Sequence, residues 1–224
     1  MIVQEQHITE ITFREDAAYV LPDRKVKRVG KRLFDILFSL VVILVLFPLL
    51  FPLLYVLIRL DSRGGTFFVQ KRNGLNNKVF RCLKFRTMVH NEEADALAAG
   101  EADRRITRIG RVLRVSGLDE LPQFINVLLG QMSIVGPRPH MISDNLKFER
   151  LSERYHQRSL VRPGITGLAQ VKGYKGDTSD ARSIRKRTAL DLIYVENYSL
   201  LLDLWIVAAT VGMMFKELFK MAGK

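Results

Sequence analysis

From Ile36 to Ile58 the chain runs 23 residues in which Ser39 and the Tyr55 hydroxyl are the only polar side-chain groups. As a helix this run is about 34 Å long, enough to cross a hydrocarbon layer of about 30 Å. The core helix of a soluble domain rarely needs so long a run. Pro48 and Pro52 interrupt it, and each removes a backbone donor and disfavours a straight helix. Basic residues flank both ends: Lys25, Lys27, Arg28, Lys31 and Arg32 before it, Arg59, Arg63, Lys71 and Arg72 after it. A single span would carry one cluster across the bilayer, against the tendency of cations to stay inside. The pattern therefore favours a helix broken at Pro48 and Pro52 that dips in and returns, over one that crosses.

Beyond this run the hydrophobic periods are short. Thr66 to Gln70 and Val79 to Met88 read as strands, separated by the turn signals Asn73-Gly74 and Asn76-Asn77. Phe80, Cys82 and Lys84 fall on one face of the second strand. Residues 91–99 predict a short exposed helix. Arg104 to Val115 predicts a helix with Ile106, Ile109 and Leu113 on one face. Asp119 to Leu129 predicts an amphipathic helix that opens near Pro122 and stops at Gly130. Ile142 to Leu160 predicts one polar helix, and Arg182 to Tyr198 another. Met132 to His140 and Val161 to Gln170 read as loops punctuated by proline and glycine. Leu200 to Phe219 is apolar but holds Asp203, Lys216 and Glu217, which suits a helix lying in a membrane interface better than a second span. Residues 1–24 read as a polar tail and not as a secretory signal.

Charge sharpens this picture. The 224 residues carry 35 Lys+Arg against 23 Asp+Glu, a net +12, so an anionic partner is expected. Cys82 is the sole cysteine, which excludes an intrachain disulfide and a cysteine-rich zinc site, and reads as a small apolar filler. His7, His90, His140 and His156 lack metal spacing, and neither a phosphate-binding glycine loop nor a nucleophile elbow is present. Chemistry concentrates instead around Asp119-Glu120. A bare Asp-Glu pair at a helix start is ordinarily a cap. Here it lies amid Arg104, Arg105, Arg108, Arg111, Arg114, Arg138 and Arg162. Arg138 and Arg162 stand in loops stiffened by Pro137, Pro139, Pro163 and Gly164, which suit a guanidinium held for a phosphate. A carboxylate among such cations stays ionised, and it can hold a divalent cation or attack phosphorus.

Five stretches then stand out in order: Lys-Arg-Leu-Phe-Asp (31–35), Lys-Phe-Arg-Thr-Met (84–88), Leu-Asp-Glu-Leu-Pro-Gln (118–123), Ile-Val-Gly-Pro-Arg-Pro (134–139) and Arg-Pro-Gly-Ile-Thr-Gly-Leu-Ala-Gln-Val (162–171). With the proline-broken apolar segment before them, they make the chain resemble the monotopic phosphoglycosyl transferases, the bacterial sugar transferase family, from about Lys31 onward. The resemblance implies an α+β, mainly helical monotopic membrane protein. Its parts would be a re-entrant helix hairpin broken at Pro48 and Pro52, a small β-hairpin and interfacial amphipathic helices.

It further implies a polar tail (1–24), a membrane helix with its basic flank (25–60), a catalytic domain facing the cytoplasm from the bacterial inner membrane (61–199) and an interfacial helix (200–224). Asp119 is implied as nucleophile and Mg²⁺ ligand, with Glu120 its catalytic partner. Lys84, Arg114, Arg138 and Arg162 are implied as phosphate or nucleotide contacts. The implied reaction moves a sugar-1-phosphate from a UDP-sugar to undecaprenyl phosphate, releases UMP and begins exopolysaccharide, O-antigen or other glycoconjugate assembly. Inner-membrane lipid is an implied partner, a homodimer is possible, and no nucleic acid is expected. Two positions depart from the family pattern: Phe47-Pro48 replaces the common Ser-Pro at the break, and Arg63 follows Ser62 where a proline is usual. The chain has the extent of a short form with an extra polar tail. The competing readings are a non-enzymatic basic protein bound to an anionic membrane surface and a nucleic-acid binder suggested by charge alone.

Overall fold

The computed structural model describes residues 25–89, 103–175 and 180–223. The segment 91–99, His7, His90 and the tail 1–24 lie outside the described residues. The chain is mainly helical, with two small two-stranded sheets.

Helix α1 runs Lys25–Asp61 as one element, with Pro48 and Pro52 inside it rather than at an end. A proline nitrogen cannot donate to the carbonyl four residues back, so the carbonyls of Leu44 and Pro48 lose their helical partners. The four-residue spacing puts both defects on one face. Only 11% of the most apolar stretch of α1 is buried, so it is not a core helix, and by length and composition it could cross a membrane. Leu44 and Leu49 are each 70% exposed.

Both ends of α1 are tied to the same body. Near its start, Lys31 Nζ lies 2.6 Å from Asp203 Oδ2, and Arg32 donates to the carbonyls of Val127 (2.7 Å) and Leu128 (3.0 Å). Asp35, 2% exposed, accepts from Ser133 Oγ and Ile134 N, each at 3.0 Å. Near its end, Leu54 and Ile58 are buried with Phe85, Leu113 and Leu121. The last carbonyls of a helix need outside donors. Here Arg86 supplies them, donating to Ile58 O (3.1 Å), Ser62 O (2.7 Å) and Arg63 O. Asp61 Oδ2 accepts from Ile109 N at 2.9 Å, which joins the end of α1 to the start of helix α2 (Arg108–Ser116).

Strands β1 (Phe67–Asn73) and β2 (Val79–Phe85) form the expected antiparallel hairpin, with Phe67 opposite Phe85 and Asn73 opposite Val79. The turn residues Asn76 and Asn77 have φ of 51° and 59°, a region asparagine tolerates better than most residues. After α2 comes a 3₁₀ turn, Leu118–Glu120, and then helix α3 (Gln123–Leu128). The helix foreseen from Asp119 is thus split, because Gly117 (φ 71°) closes α2 and the next three residues wind tightly before Pro122.

Two segments read as loops contain strands: β3 (Ser133–Val135) pairs in parallel with β4 (Gly164–Thr166). The pair survives without long apolar runs because glycines let backbone meet backbone. Gly136 N donates to Thr166 O and Gly164 N to Pro137 O. A Cβ on Gly164 would come within 2.1 Å of Gly136 N. A short helix α5 (Leu168–Val171) follows β4.

The predicted helix Ile142 to Leu160 is corrected to helix α4 (Ile142–Glu149) and a 3₁₀ stretch, Tyr155–Leu160. A continuous helix would put Arg158 about 20 Å along the axis from Asn145. The break instead folds Tyr155 back onto Asn145 Oδ1 (2.6 Å) and brings Arg158 to Arg138 O (2.8 Å). Helices α6 (Ala181–Asn197) and α7 (Leu200–Ala222) close the chain, with Asp180 and Ser199 capping their first amides as acceptors. The main core gathers Phe80, Cys82, Val127, Met132, Ile134, Val135, Tyr194 and Ile206, from β2, α3, β3, α6 and α7.

Candidate active site

The 3₁₀ turn after Gly117 sets Asp119 and Glu120 beneath β2, and they are only 8% and 9% exposed. Lys84 reaches down from β2: its Nζ is 2.7 Å from Glu120 Oε1 and 3.8 Å from Asp119 Oδ2. Arg138, in the loop after β3, comes from another side. Its NH2 is 2.8 Å from Glu120 Oε1 and its NH1 3.4 Å from Oε2. Glu120 is therefore a bridge between two cations. Asp119 has only the longer 3.8 Å contact with Lys84, and Arg138 and Arg114 act on it from further away.

This asymmetry separates the two acids electrostatically. Burial pushes the Asp119 carboxyl up, Lys84 opposes, and the neighbouring Glu120 charge adds to the rise. Burial would also raise Glu120, but Arg138 and Lys84 outweigh it and hold that carboxyl well below its usual range. Glu120 in turn raises Arg138. The site thus holds a firmly anionic glutamate fixed by cations, beside an aspartate whose ionised form is stabilised less.

Arg114 joins from α2. Its Nε donates to Thr87 Oγ1 at 2.9 Å, and its charge acts on Asp119. Arg162 is not brought to the pair: its Nε donates to Gly130 O (2.8 Å), at the far end of α3, on the side that Arg32 also serves. Pro48 and Pro52 remain in α1, away from this cluster in sequence and element. Cys82 is buried in the core and burial pushes its thiol up, as a filler requires.

A second layer holds Arg138 by its backbone. Arg158 donates through NH2 to Arg138 O (2.8 Å) and through Nε to Asp191 Oδ2 (2.7 Å). Arg72 donates to Pro139 O and, at 2.6 Å, to Gln70 Oε1. With Gly136 N and Pro137 O already engaged across β4, four consecutive residues around Arg138 have a fixed backbone group. His140 lies between Arg158 and Arg187. Its Nδ1 lies 2.5 Å from Tyr155 Oη and 3.2 Å from Arg158 NH1, Tyr155 donates to Asn145 Oδ1, and Nε2 lies 3.3 Å from Arg187 NH1. With a guanidinium facing each nitrogen, at least one nitrogen must accept, which a neutral ring does. Burial, then Arg158 and Arg187, hold its pKa well below 6.5.

A base with a depressed folded pKa favours the native state above its unfolded pKa. Below that value the unfolded chain takes up a proton that the folded chain refuses. Stability should therefore fall as pH drops through 6.5, by up to about 1.4 kcal/mol per pH unit from this group. Thermal unfolding in detergent between about pH 7 and 5 checks this. His140→Asn should give a visibly flatter profile, and an unchanged slope would remove His140 as its source.

Sequence reading missed Asp35, Arg72, Arg86, Asn126, Arg158 and Asp191. Three had a signal. Asp35, Asp191 and Asp203 are single acids inside apolar stretches, where a charge persists only if paired. Asn126, 1% exposed, pins the edge of β2: it accepts from Leu83 N (2.9 Å) and donates to Arg81 O (2.7 Å). That role depends on a partner 43 positions away and leaves no local trace.

A carboxylate bridging two cations beside a second acid suits anionic, phosphate-like chemistry. The profile of the family described as bacterial sugar transferase matches residues 26–217, and the chain belongs to that family. A UDP-glucose:undecaprenyl-phosphate glucose-1-phosphate transferase from Xanthomonas campestris pv. campestris is 48% identical over 155 residues, 68% of this chain and 32% of that protein. The exopolysaccharide production protein PSS of Rhizobium leguminosarum bv. phaseoli is 46% identical over 162 residues, 70% of this chain and 80% of that protein. A UDP-N-acetylgalactosamine-undecaprenyl-phosphate N-acetylgalactosaminephosphotransferase from Aeromonas hydrophila is 46% identical over 158 residues, 70% of this chain and 37% of that protein. The chain thus matches about a third of the length of some of these relatives and most of the length of another.

Proposed function

We propose that this chain is a monotopic phosphoglycosyl transferase that moves a sugar-1-phosphate from a UDP-sugar to undecaprenyl phosphate, releasing UMP. The observation that carries the proposal is the division of labour at residues 119 and 120. Glu120 is immobilised by Lys84 and Arg138, while Asp119 has no close ion pair. Relatives that share this part of the chain bear the names of glucose-1-phosphate and N-acetylgalactosamine-phosphate transferases.

In the proposed first step a carboxylate oxygen of Asp119 attacks the sugar-bearing phosphorus. A P–O bond to that phosphorus forms, the P–O bond to the nucleoside phosphate breaks, and UMP leaves with the electron pair. In the second step an ionised oxygen of the polyprenyl phosphate attacks the same phosphorus and expels Asp119, giving a polyprenyl diphospho-sugar. Lys84, Arg114 and Arg138 offset phosphate charge, and Glu120 keeps Lys84 and Arg138 aimed. The role for Arg162 foreseen in sequence has no support from its position.

Magnesium belongs to this proposal. Among the described residues no group of three His, Cys, Asp or Glu side chains could hold a metal. The donor set fits an ion carried in with the substrate: Asp119 would give one oxygen and the diphosphate others, the usual mode for Mg²⁺. Bound there, it would neutralise phosphate charge.

Membrane placement is likewise proposed. Two prolines on one face, both ends of α1 docked on one body and an outer surface of exposed leucines support a helix that enters the bilayer and returns to the cytoplasmic face. The exposed Leu200, Leu201, Leu204 and Trp205 of α7 suit an interfacial helix.

The test is UMP release by the full chain in detergent across a panel of UDP-sugars, with undecaprenyl phosphate and Mg²⁺. Without acceptor, one UDP-sugar should give a burst of UMP that does not exceed the enzyme present. Sustained release should need acceptor. Absence of UMP with every donor rules the proposal out.

A further inference from the structure

The β1–β2 hairpin has a face that the proposed chemistry does not use. Paired residues of an antiparallel hairpin share a face, so Phe67/Phe85, Val69/Leu83, Lys71/Arg81 and Asn73/Val79 lie together. The opposite face carries Phe80, Cys82 and Lys84 toward the core and the carboxylates.

The first face is covered at one end only. Phe85 is 2% exposed because Phe51 of α1 stacks on it at 6.1 Å and Phe67 at 5.6 Å. Phe51 also stacks on Phe67 at 5.8 Å. The helix with the apolar exterior thus rests on this sheet face, and the uncovered remainder continues beside it. That remainder is mixed. Phe67 (44%), Val69 (46%) and Val79 (57%) are exposed apolar side chains. Lys71 and Arg81 are exposed and sit directly opposite one another. Like charges in that register repel, and neither has an acidic partner among the described residues.

We propose that this hairpin face docks on the anionic headgroup layer of the bilayer. Phe67 and Val69 would enter the headgroup–acyl boundary beside Phe51, and Lys71 and Arg81 would take lipid phosphates. Three observations converge on that occupant. The face is continuous with the surface of α1. Phe67 and Val69 lie at the α1 end, Lys71 lies about 13 Å from Phe67 at about 3.3 Å per residue, and Val79 lies one pair beyond the cations. Two facing cations without an acidic partner among the described residues suit an external anion, and a sheet of phosphate meets both at once. Docking here would turn the Lys84 face of the hairpin, and so the carboxylate pair, to a fixed height above the acyl chains. The inference rests on the reading that α1 sits in the bilayer, and the experiment separates the two.

Nitroxide labels are placed singly on the full chain at Leu49→Cys, Val69→Cys and Arg182→Cys. Cys82, 1% exposed, stays out of reach of the reagent. Collision rates with oxygen and with an aqueous nickel complex are read in vesicles containing phosphatidylglycerol and in phosphatidylcholine alone. Leu49 should favour oxygen in both, and Arg182 should favour nickel. Val69 should favour oxygen when phosphatidylglycerol is present. Adding Lys71→Glu and Arg81→Glu should lower the docked fraction by on the order of tenfold. UMP release in detergent by that variant reports that it is folded. A Val69 label as open to nickel as Arg182, with Leu49 still favouring oxygen, overturns the docking face and leaves the membrane helix standing. A Val69 label shielded from both reagents means a protein contact and also overturns it. A Leu49 label open to nickel removes the membrane reading and this inference together.

Discussion

Asp119→Asn should cut UMP release by on the order of 10³-fold or more, with little change in folding stability. The two halves of that expectation have one cause. Asp119 is buried without a close ion pair, so its charge is stabilised less than its surroundings would allow. Such a charge costs stability and provides reactivity. The asparagine amide fills the same space, removes the desolvation cost and cannot form an acyl phosphate. Lys84 keeps its 2.7 Å contact with Glu120, so the cluster should survive. Rapid-quench measurement of the UMP burst without acceptor tests the chemistry directly, and a thermal scan in detergent tests the fold. A variant that turns over normally would strip Asp119 of the role proposed for it.

The largest effect on stability is expected from Arg138→Met. Removing one partner of a buried ion pair leaves the other uncompensated, at about 3–5 kcal/mol for full burial. Lys84 stays with Glu120, and the Arg138 side chain is 20% exposed, so about 2 kcal/mol is a fairer figure here. The informative comparison is the double change Arg138→Met with Glu120→Gln. If Glu120 is what suffers, neutralising it should recover most of the loss, a strongly non-additive result. Simple addition of the two single losses would mean that Arg138 supports the fold through its packing, not through Glu120. Transfer should remain lost in every one of these variants.

Several elements were legible in advance because their cause is local. The apolar run of α1, the turn asparagines between β1 and β2 and the helices α6 and α7 all depend on neighbours within a turn or two. Asp119, Glu120, Lys84 and Arg138 stood out through motif order, and the fold draws these four together. Arg162 looked equivalent to Arg138, each held between a proline and a stiff loop. What separates them is which carbonyl or carboxylate ends up opposite, and that is a long-range fact. The same holds for Arg72 and Arg158, whose work is to hold the carbonyls flanking the Arg138–Pro139 bond. The strands β3 and β4 escaped notice because three residues each give no period to read. They persist through the bare backbone contacts of Gly136 and Gly164. The break expected at Pro48 and Pro52 falls inside one helical element whose two ends both pack on the same body.

The tie between Lys31 and Asp203 spans 172 positions, and α3, which follows the turn of Asp119 and Glu120, is held through Arg32 from the same stretch of α1. During synthesis Lys31 therefore emerges 172 positions ahead of its partner Asp203. Until α7 emerges, Lys31 has no counter-charge and the scaffold beneath Glu120 is unfinished. The tie thus forms only once α7 has emerged, and a nascent chain without α7 holds the turn of Asp119 and Glu120 without this support.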